Sequence, residues 1–217
     1  MAVAVKICGL SDEAAVAAAV EGGVGGGAAM CGFVFFEASP RYVTPARAGQ
    51  LTRKIPETII RVGLVVDADD DTLAAIVETA GIGMFQLHGA ETPGRVRDIR
   101  QRFGLPVMKV LPVAIADDLA QAGDYTAIAD RLMFDARPPE GAARPGGNAL
   151  AFDWALLKGK TFALPWILAG GLNADNLAEA VETSGAEFVD VSSGVEDAPG
   201  CKNAEKILAF LAAAKGL

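Results

Sequence analysis

Two apolar segments end in side chains that can act as a base and an acid. Cys8 lies two residues after Lys6, so on an extended strand the two side chains share a face. An ammonium group there would lower the pKa of the thiol and increase its thiolate fraction. Asp135 follows the apolar run 132–134, and partial burial would favour its proton-donating form. One base and one acid are what an isomerisation by proton transfer needs. The structural alternatives are a buried, inert cysteine and a turn aspartate.

Other residues are suited to bind an anion. Arg41 follows the turn Ser39-Pro40, and its planar guanidinium can hold a carboxylate through two nitrogens. Two loops of small residues can hold a phosphate group through backbone N–H groups and hydroxyls. The residues of these loops are Gly170, Gly171, Ser192, Ser193 and Gly194. The structural alternatives are a solvated arginine and two tight turns.

His88 is the only histidine, which excludes a metal site built from several histidines. We therefore predict no metal. His88 is either a general base or a hydrogen-bonded structural residue. Cys8, Cys31 and Cys201 form no C-x-x-C pair and predict free thiols in a reducing compartment. The longest uncharged stretch, residues 22–36, is shorter than the roughly 20 apolar residues of a membrane span. We expect a cytoplasmic protein with no targeting or membrane segment.

Composition limits the class of protein. The chain has 217 residues, of which 52% are hydrophobic and 21% charged, so it can bury a sizeable core and is not disordered. The net charge is -8, with 19 basic and 27 acidic residues. An acidic surface repels phosphate backbones, so nucleic-acid binding is not expected. A local basic pocket for a small anionic molecule remains compatible with this charge.

Short apolar runs alternate with segments rich in Ala and Leu that carry polar residues on one face. The runs are nearly continuous in apolar character, which is typical of strands buried on both faces of a parallel sheet. The predicted strands are residues 2–7, 30–35, 59–65, 84–87, 106–111, 131–134, 166–169 and 188–191. The predicted helices are residues 12–20, 45–53, 70–79, 93–103, 115–121, 173–183 and 203–215.

This alternation predicts an α/β fold, a (β/α)8 TIM barrel in which residues 1–217 form a single domain. A doubly wound sheet would require a glycine fingerprint after the first strand, where the sequence reads Cys8-Gly9-Leu10. Residues 136–151 are rich in Gly, Pro and Arg and are interpreted as a long active-site loop rather than a linker. In such barrels the chemistry lies at the C-terminal ends of the strands, and phosphate is often bound after the last two.

The chain resembles the phosphoribosylanthranilate isomerases of tryptophan biosynthesis along nearly its whole length. The segments that carry the resemblance are VKICGL at 5–10, SPRYV at 39–43, QLHGAE at 86–91, FDA at 134–136, LAGGL at 168–172 and DVSSGVE at 190–196. The resemblance implies the Amadori rearrangement of N-(5'-phosphoribosyl)anthranilate to 1-(2-carboxyphenylamino)-1-deoxy-D-ribulose 5-phosphate. It also implies no cofactor, a small-molecule phosphosugar-anthranilate substrate, and a monomer or homodimer.

The resemblance also implies roles for the residues. Asp135 matches the general acid, which protonates the ring oxygen as the furanose opens to a Schiff base. Cys8 matches the general base, which removes the proton from C2' to give an enolamine. Arg41 matches the residue that holds the anthranilate carboxylate, and the two small-residue loops match the phosphate site. Residues 146–149 read Gly-Gly-Asn-Ala where the family usually has Gly-Gly-Thr-Gly, which is a departure in a loop expected to close over the substrate.

Three other functions fit the sequence less well than this isomerase activity. The isomerase of histidine biosynthesis would need an aspartate where the first strand ends in Cys8. A metal-dependent pentose-phosphate epimerase would need two histidines, and only His88 is present. A catalytically silent phosphate-binding or scaffold protein is disfavoured by the presence of Cys8, Arg41 and Asp135 together.

Overall fold

The computed structural model describes residues 2–23, 28–139, 141, 145–147 and 151–217. Eight parallel strands pair in chain order, and the last pairs with the first to close a barrel. The strands are β1 (Ala4–Cys8), β2 (Ala28–Val34), β3 (Ile60–Val65), β4 (Met84–Leu87), β5 (Val107–Val113), β6 (Arg131–Ala136), β7 (Trp166–Leu168) and β8 (Phe188–Val191). The predicted (β/α)8 barrel is confirmed, and the strand ends differ from the predicted ones by at most two residues.

Helices connect the strands and cover the outside of the barrel. They are α1 (Glu13–Gly23), α2 (Pro45–Thr52), α3 (Asp70–Ala80), α4 (Pro93–Phe103), α5 (Ala122–Tyr125), α6 (Leu177–Ser184) and α7 (Ala204–Lys215). Short 3-10 helices occur at Ala116–Gln121, Trp154–Leu157 and Ser193–Val195. Threonine, aspartate or asparagine side chains accept from backbone N–H groups at the starts of α2, α3, α4 and α7, as expected for N-caps.

Two predicted helices differ from the observed ones. The segment predicted as an α-helix at 115–121 is a 3-10 helix, because Asp118 accepts the N–H groups of Ala114 and Ile115 and tightens the turn. The helix predicted from residue 173 starts at Leu177. Residues 173–176 instead form turns in which the Asn173 and Asn176 side chains accept backbone N–H groups. Polar side chains that bond to nearby backbone compete with the helix in both places.

A two-stranded antiparallel hairpin follows β8 and was not predicted. It consists of β9 (Glu196–Ala198) and β10 (Cys201–Lys202). Gly200 at its turn has a φ of +86°, and a Cβ there would lie 2.3 Å from the carbonyl oxygen of Pro40. Glycine therefore allows the hairpin to pack directly against the loop that carries Arg41.

The interior of the barrel is divided between an apolar floor and a polar rim. Strand side chains alternate between the helix layer and the interior. Eight buried side chains form the floor: Met30, Val62, Met84, Met108, Val110, Met133, Ile167 and Ala169. Half of them are methionines, which fill irregular space because their side chains are unbranched and flexible. Above this floor, towards the C-terminal ends of the strands, the polar side chains converge. Within the described residues, the helices are too short or too polar for any to cross a membrane.

Candidate active site

The C-terminal rim of the barrel brings together residues from six strands or the loops after them. A cavity of about 50 Å³ opens at this rim. Its lining includes Cys8, Gln86, His88, Asp135, Gly146, Gly170, Gly171, Asp190, Ser192 and Ser193. The predicted base, acid and anion loops therefore share one cavity, as parallel strands of a closed barrel require. Gly194 does not line the cavity.

Cys8 is the last residue of β1 and is buried. Gly32 on β2 lies between the thiol and Lys6: a Cβ there would be 3.1 Å from Sγ of Cys8 and 3.0 Å from Nζ of Lys6. Burial raises the pKa of the Cys8 thiol, and the Lys6 charge only partly opposes this effect. The expected lowering of the pKa of Cys8 is thus wrong in its net direction, because desolvation of the thiolate outweighs the ammonium.

Lys6 is fully buried and paired. Its Nζ donates to Oδ1 of Asp190 on β8 at 2.7 Å. Burial alone would lower the pKa of Lys6, but the charges of Asp190 and Cys8 outweigh it and raise the pKa. Lys6 is therefore a cation at neutral pH. Asp190 was not predicted as a site residue; its alternation with the apolar residues of β8 places its side chain inside the barrel, and this was the signal available in the sequence.

Asp135 on β6 has two donors at its carboxylate. The backbone N–H of Ala136 donates to Oδ1 at 2.8 Å, and Nε2 of His88 lies 3.3 Å from Oδ2. The amide nitrogen Nε2 of Gln86 lies 3.3 Å from Nδ1 of His88. With the Gln86 amide in this orientation, its nitrogen donates to Nδ1, and the proton of the neutral ring is then on Nε2, facing Asp135. The geometry therefore gives His88 a partner role to the acid, and sequence reasoning had left that role open.

Two glycines of the long loop lie over the site. A Cβ at Gly146 would be 2.7 Å from Oδ2 of Asp135, and one at Gly147 would overlap Nη1 of Arg41. Gly147 also has a φ of +70°, a conformation that side chains disfavour. The loop backbone thus approaches the acid and the arginine more closely than any other residue would allow. Residues 148 and 149 of the predicted lid lie outside the described residues.

Arg41 is buried in the loop after β2, and its guanidinium is held inside the protein. Its Nε and Nη2 donate to Oε1 and Oε2 of Glu196 at 2.7 and 2.8 Å. The two-nitrogen fork that the sequence predicted for a ligand carboxylate is therefore engaged by Glu196. Nη1 faces Gly147 beside a second cavity of about 50 Å³, which Cys8 and Phe36 also line. Glu196 does not use Nη1 or the second N–H of Nη2, and Arg41 lines this second cavity.

The two small-residue loops approach each other and the acid. Gly170 has a φ of +91°, and a Cβ there would lie 2.7 Å from the backbone nitrogen of Ala136. A Cβ at Gly194 would overlap the carbonyl oxygen of Leu172. Gly194 therefore serves close packing of the loop after β8 against the loop after β7. Gly171, Ser192 and Ser193 line the cavity itself, where backbone N–H groups and hydroxyls suit an anion. Within the described residues, no group of three metal-ligating side chains is found.

Comparisons with known proteins agree along the whole chain. A family model described as N-(5'phosphoribosyl)anthranilate (PRA) isomerase matches residues 5–213. A protein of Paramagnetospirillum magneticum named N-(5'-phosphoribosyl)anthranilate isomerase is 55% identical over 216 residues, which cover 100% of this chain and 99% of that protein.

Solved structures give the same result. A phosphoribosyl anthranilate isomerase in complex with reduced 1-(o-carboxyphenylamino)-1-deoxyribulose 5-phosphate has a TM-score of 0.83 at 31% identity, over 99% of this chain and 100% of that chain. Monomers generated from the dimeric phosphoribosylanthranilate isomerase of Thermotoga maritima have the same TM-score and identity, over the same shares of the two chains.

Proposed function

The chain belongs to the N-(5'-phosphoribosyl)anthranilate isomerase family, and from this membership we propose which of its residues carry the reaction. The enzyme catalyses the Amadori rearrangement of N-(5'-phosphoribosyl)anthranilate to 1-(2-carboxyphenylamino)-1-deoxy-D-ribulose 5-phosphate in tryptophan biosynthesis. The ring oxygen is protonated as the C1'–O bond breaks, C2' then loses its proton to give the enolamine, and C1' gains a proton as the C2' hydroxyl loses one to form the ketone. The reaction therefore needs proton transfers and anion binding only, and we propose no metal or other cofactor.

Asp135 is the general acid. It gives its proton to the ring oxygen as the furanose opens, and the nitrogen lone pair forms the Schiff base. The donors around Asp135 support this role: the backbone N–H of Ala136 and Nε2 of His88 both face its oxygens. They orient the carboxyl group and stabilise the carboxylate that the transfer leaves behind.

Cys8 is the general base. It removes the proton from C2' of the Schiff base, and the resulting enolamine tautomerises to the ketone as C1' is protonated. The raised pKa of Cys8 makes its thiolate a stronger base although a less abundant one. The buried ammonium of Lys6, paired with Asp190, supports the negative charge of the thiolate from the same face of β1, two residues before Cys8.

Arg41 binds the anthranilate carboxylate through its Nη1 edge, and Gly170, Gly171, Ser192 and Ser193 bind the phosphate, with Gly194 shaping the last loop. The observation that carries the proposal is the single cavity lined by Cys8, Asp135 and residues of both loops. A base, an acid and an anion site in one cavity match the parts of this substrate.

Four further proposals concern the protein as a whole. Residues 1–217 act as one domain, since all eight strands belong to one closed barrel. The free thiols of Cys8, Cys31 and Cys201 support a reducing, cytoplasmic location. The dimeric Thermotoga maritima relative supports a monomer or homodimer, which sedimentation of the purified protein distinguishes. The net charge of -8 supports the absence of a nucleic-acid partner.

A turnover assay tests the function. Freshly generated N-(5'-phosphoribosyl)anthranilate is mixed with purified protein in the presence of a chelator, and the loss of anthranilate-type fluorescence is followed. We expect rapid loss with the wild type and little above the uncatalysed rate with Asp135→Asn, which keeps the shape but removes the acid. A folded wild type without turnover would overturn the function, and a fully active Asp135→Asn would overturn only the assignment of the acid.

A further inference from the structure

Glu196 contacts a second cation in addition to Arg41. Besides Arg41, its carboxylate accepts from Nζ of Lys202 at 2.5 Å and from the backbone N–H of Gly200 at 3.3 Å. Glu196 is only 4% exposed at its side chain and Lys202 is fully buried there. Burial alone would raise the pKa of Glu196, but the hydrogen bond from Arg41 and the charge of Lys202 lower it. Glu196 is therefore an anion between two cations.

Lys202 connects this cluster to the predicted phosphate site. Its Nζ donates to the backbone oxygen of Ser192 at 2.9 Å and lies 3.4 Å from Oγ of the same residue. Ser192 in turn donates its hydroxyl to the backbone oxygen of Cys8 at 3.2 Å. Burial lowers the pKa of Lys202, and the charge of Glu196 works against that effect. The lysine thus lies directly behind a loop residue that lines the cavity.

The charge of the cluster is unbalanced. Arg41 and Lys202 are two cations and Glu196 is one carboxylate, so one net positive charge is held between the two places where the anionic ends of the substrate bind. Buried charges are retained at a cost in desolvation. The surplus positive charge favours the binding of an anion nearby.

We propose that Glu196 and Lys202 are positioning residues. They direct the carboxylate of the substrate to Arg41 at one end of the site and its phosphate to the Ser192 loop at the other. Glu196 engages Nε and one N–H of Nη2 of Arg41, so the arginine receives the anthranilate carboxylate at its remaining edge, through Nη1 and the second N–H of Nη2. The positive charge of Lys202 offsets the negative charge of Glu196. Because Lys202 lies directly behind Ser192, its charge also stabilises a phosphate bound at that loop. This inference rests on the proposed function only for identifying the two anions as the carboxylate and the phosphate of the substrate.

A binding experiment separates the two roles. Equilibrium dialysis measures the affinity for inorganic phosphate and for anthranilate one at a time, without turnover. Lys202→Met should weaken phosphate binding by about 10-fold, the scale of a lost charged interaction, and anthranilate binding by much less. Glu196→Gln should weaken anthranilate binding by about 10-fold, because Arg41 is no longer held, and should leave phosphate binding unchanged or tighter.

Lys206→Met is the matched control. Lys206 lies just beyond the same hairpin, donates to the backbone oxygen of Glu196 at 2.8 Å and pairs with the exposed Asp197. Its removal changes the net charge as much as Lys202→Met does, so both affinities should stay at wild-type values. Lys202→Arg keeps the charge and should restore most of the phosphate affinity.

Three results would overturn the proposal. The first is an equal loss of affinity for phosphate and for anthranilate in either variant. The second is an unchanged affinity for phosphate in Lys202→Met. The third is a loss of phosphate affinity in Lys206→Met as large as in Lys202→Met. If Lys202→Met does not fold, Lys202→Gln carries the same expectation, since it keeps a donor to Ser192 without the charge. Turnover of the wild type is measured separately, so a failure of the proposed function does not change how these affinities are interpreted.

Discussion

Nε2 of His88 lies 3.3 Å from Oδ2 of Asp135, so the only histidine of the chain contacts the proposed acid. Gln86 faces the other ring nitrogen with its amide nitrogen and so keeps the proton of the neutral ring on Nε2. Gln86 and His88 are both on or next to β4, two residues apart on the same face. One strand therefore sets the orientation of a carboxyl group that another strand supplies.

His88→Ala should lower kcat by about 10- to 100-fold with little change in KM, because the lost donor stabilises Asp135 only as its charge develops. Steady-state kinetics of the purified variants measure both constants. His88→Gln keeps an N–H near the position of Nε2 and should retain more of kcat than His88→Ala. Equal losses in the two variants would contradict the donor role.

Cys8→Ser should fold as the wild type does and lose about 10²- to 10⁴-fold in kcat, the usual contribution of a general base. A serine hydroxyl ionises far less readily than a thiol, so it supplies almost no anionic base at neutral pH, although the two side chains are similar in size. Cys201→Ser is the control, since Cys201 is exposed on β10 and should keep full turnover. A Cys8→Ser protein with near wild-type kcat would remove Cys8 from the role of base.

Arg41→Ala should weaken the binding of anthranilate by about 1.5–3 kcal/mol, the range of hydrogen bonds to charged groups. Equilibrium dialysis with fluorescence detection measures this affinity directly. Arg47→Ala removes an exposed arginine paired with Glu13 and should have no effect on it. An unchanged affinity in Arg41→Ala would show that the carboxylate binds elsewhere.

Asp190→Asn should lower the free energy of unfolding by about 3–5 kcal/mol, because it leaves the fully buried Lys6 without its counter-ion. Urea unfolding at neutral pH measures the change. The double variant Lys6→Met with Asp190→Leu should recover most of it, since neither charge of this pair then remains buried. Asp197→Asn, which removes an exposed ion pair, should leave the free energy of unfolding close to that of the wild type. A small loss in Asp190→Asn would mean that water reaches Lys6.

Acid should remove the stabilisation that Glu196 provides. The pKa of Glu196 is lower in the folded protein than its ordinary value, so its contribution is present above the ordinary pKa and is lost as the pH falls through the folded one. Between about pH 5 and pH 3, the free energy of unfolding should therefore fall less steeply in Glu196→Gln than in the wild type. Urea unfolding over this pH range compares the two slopes. Parallel curves would show that the pKa of Glu196 is not lowered.

The sequence predicted the barrel because each of its strands carries a local signal. Runs such as those of β3 and β8 are apolar and β-branched, and helices separate them. The hairpin of β9 and β10 was not predicted, since its residues are few and mostly polar. It is stabilised by contacts far away in the chain, among them the contact of Gly200 with Pro40. A local sequence pattern cannot predict a contact between residues so far apart in the chain.

The residues of the site also differ in whether a local sequence signal predicts them. Cys8 and Asp135 end apolar strands, so their positions at the rim could be read from the chain, and the structure brings both to one cavity. Asp190 and Glu196 were not singled out, because each is defined by a partner 184 or 155 residues away. The pKa of Cys8 was predicted to move in the wrong direction, since burial cannot be judged from the neighbouring Lys6 alone.

The separation of Arg41 and Glu196 also affects how the protein is made. Arg41 is translated 155 residues before the carboxylate that holds it, and the six strands β3 to β8 are synthesised in that interval. A nascent chain that stops before Glu196 contains Cys8, His88 and Asp135 but lacks the group that orients its arginine. The binding end of the site is therefore completed last during synthesis, after every residue that we propose for proton transfer is already in place.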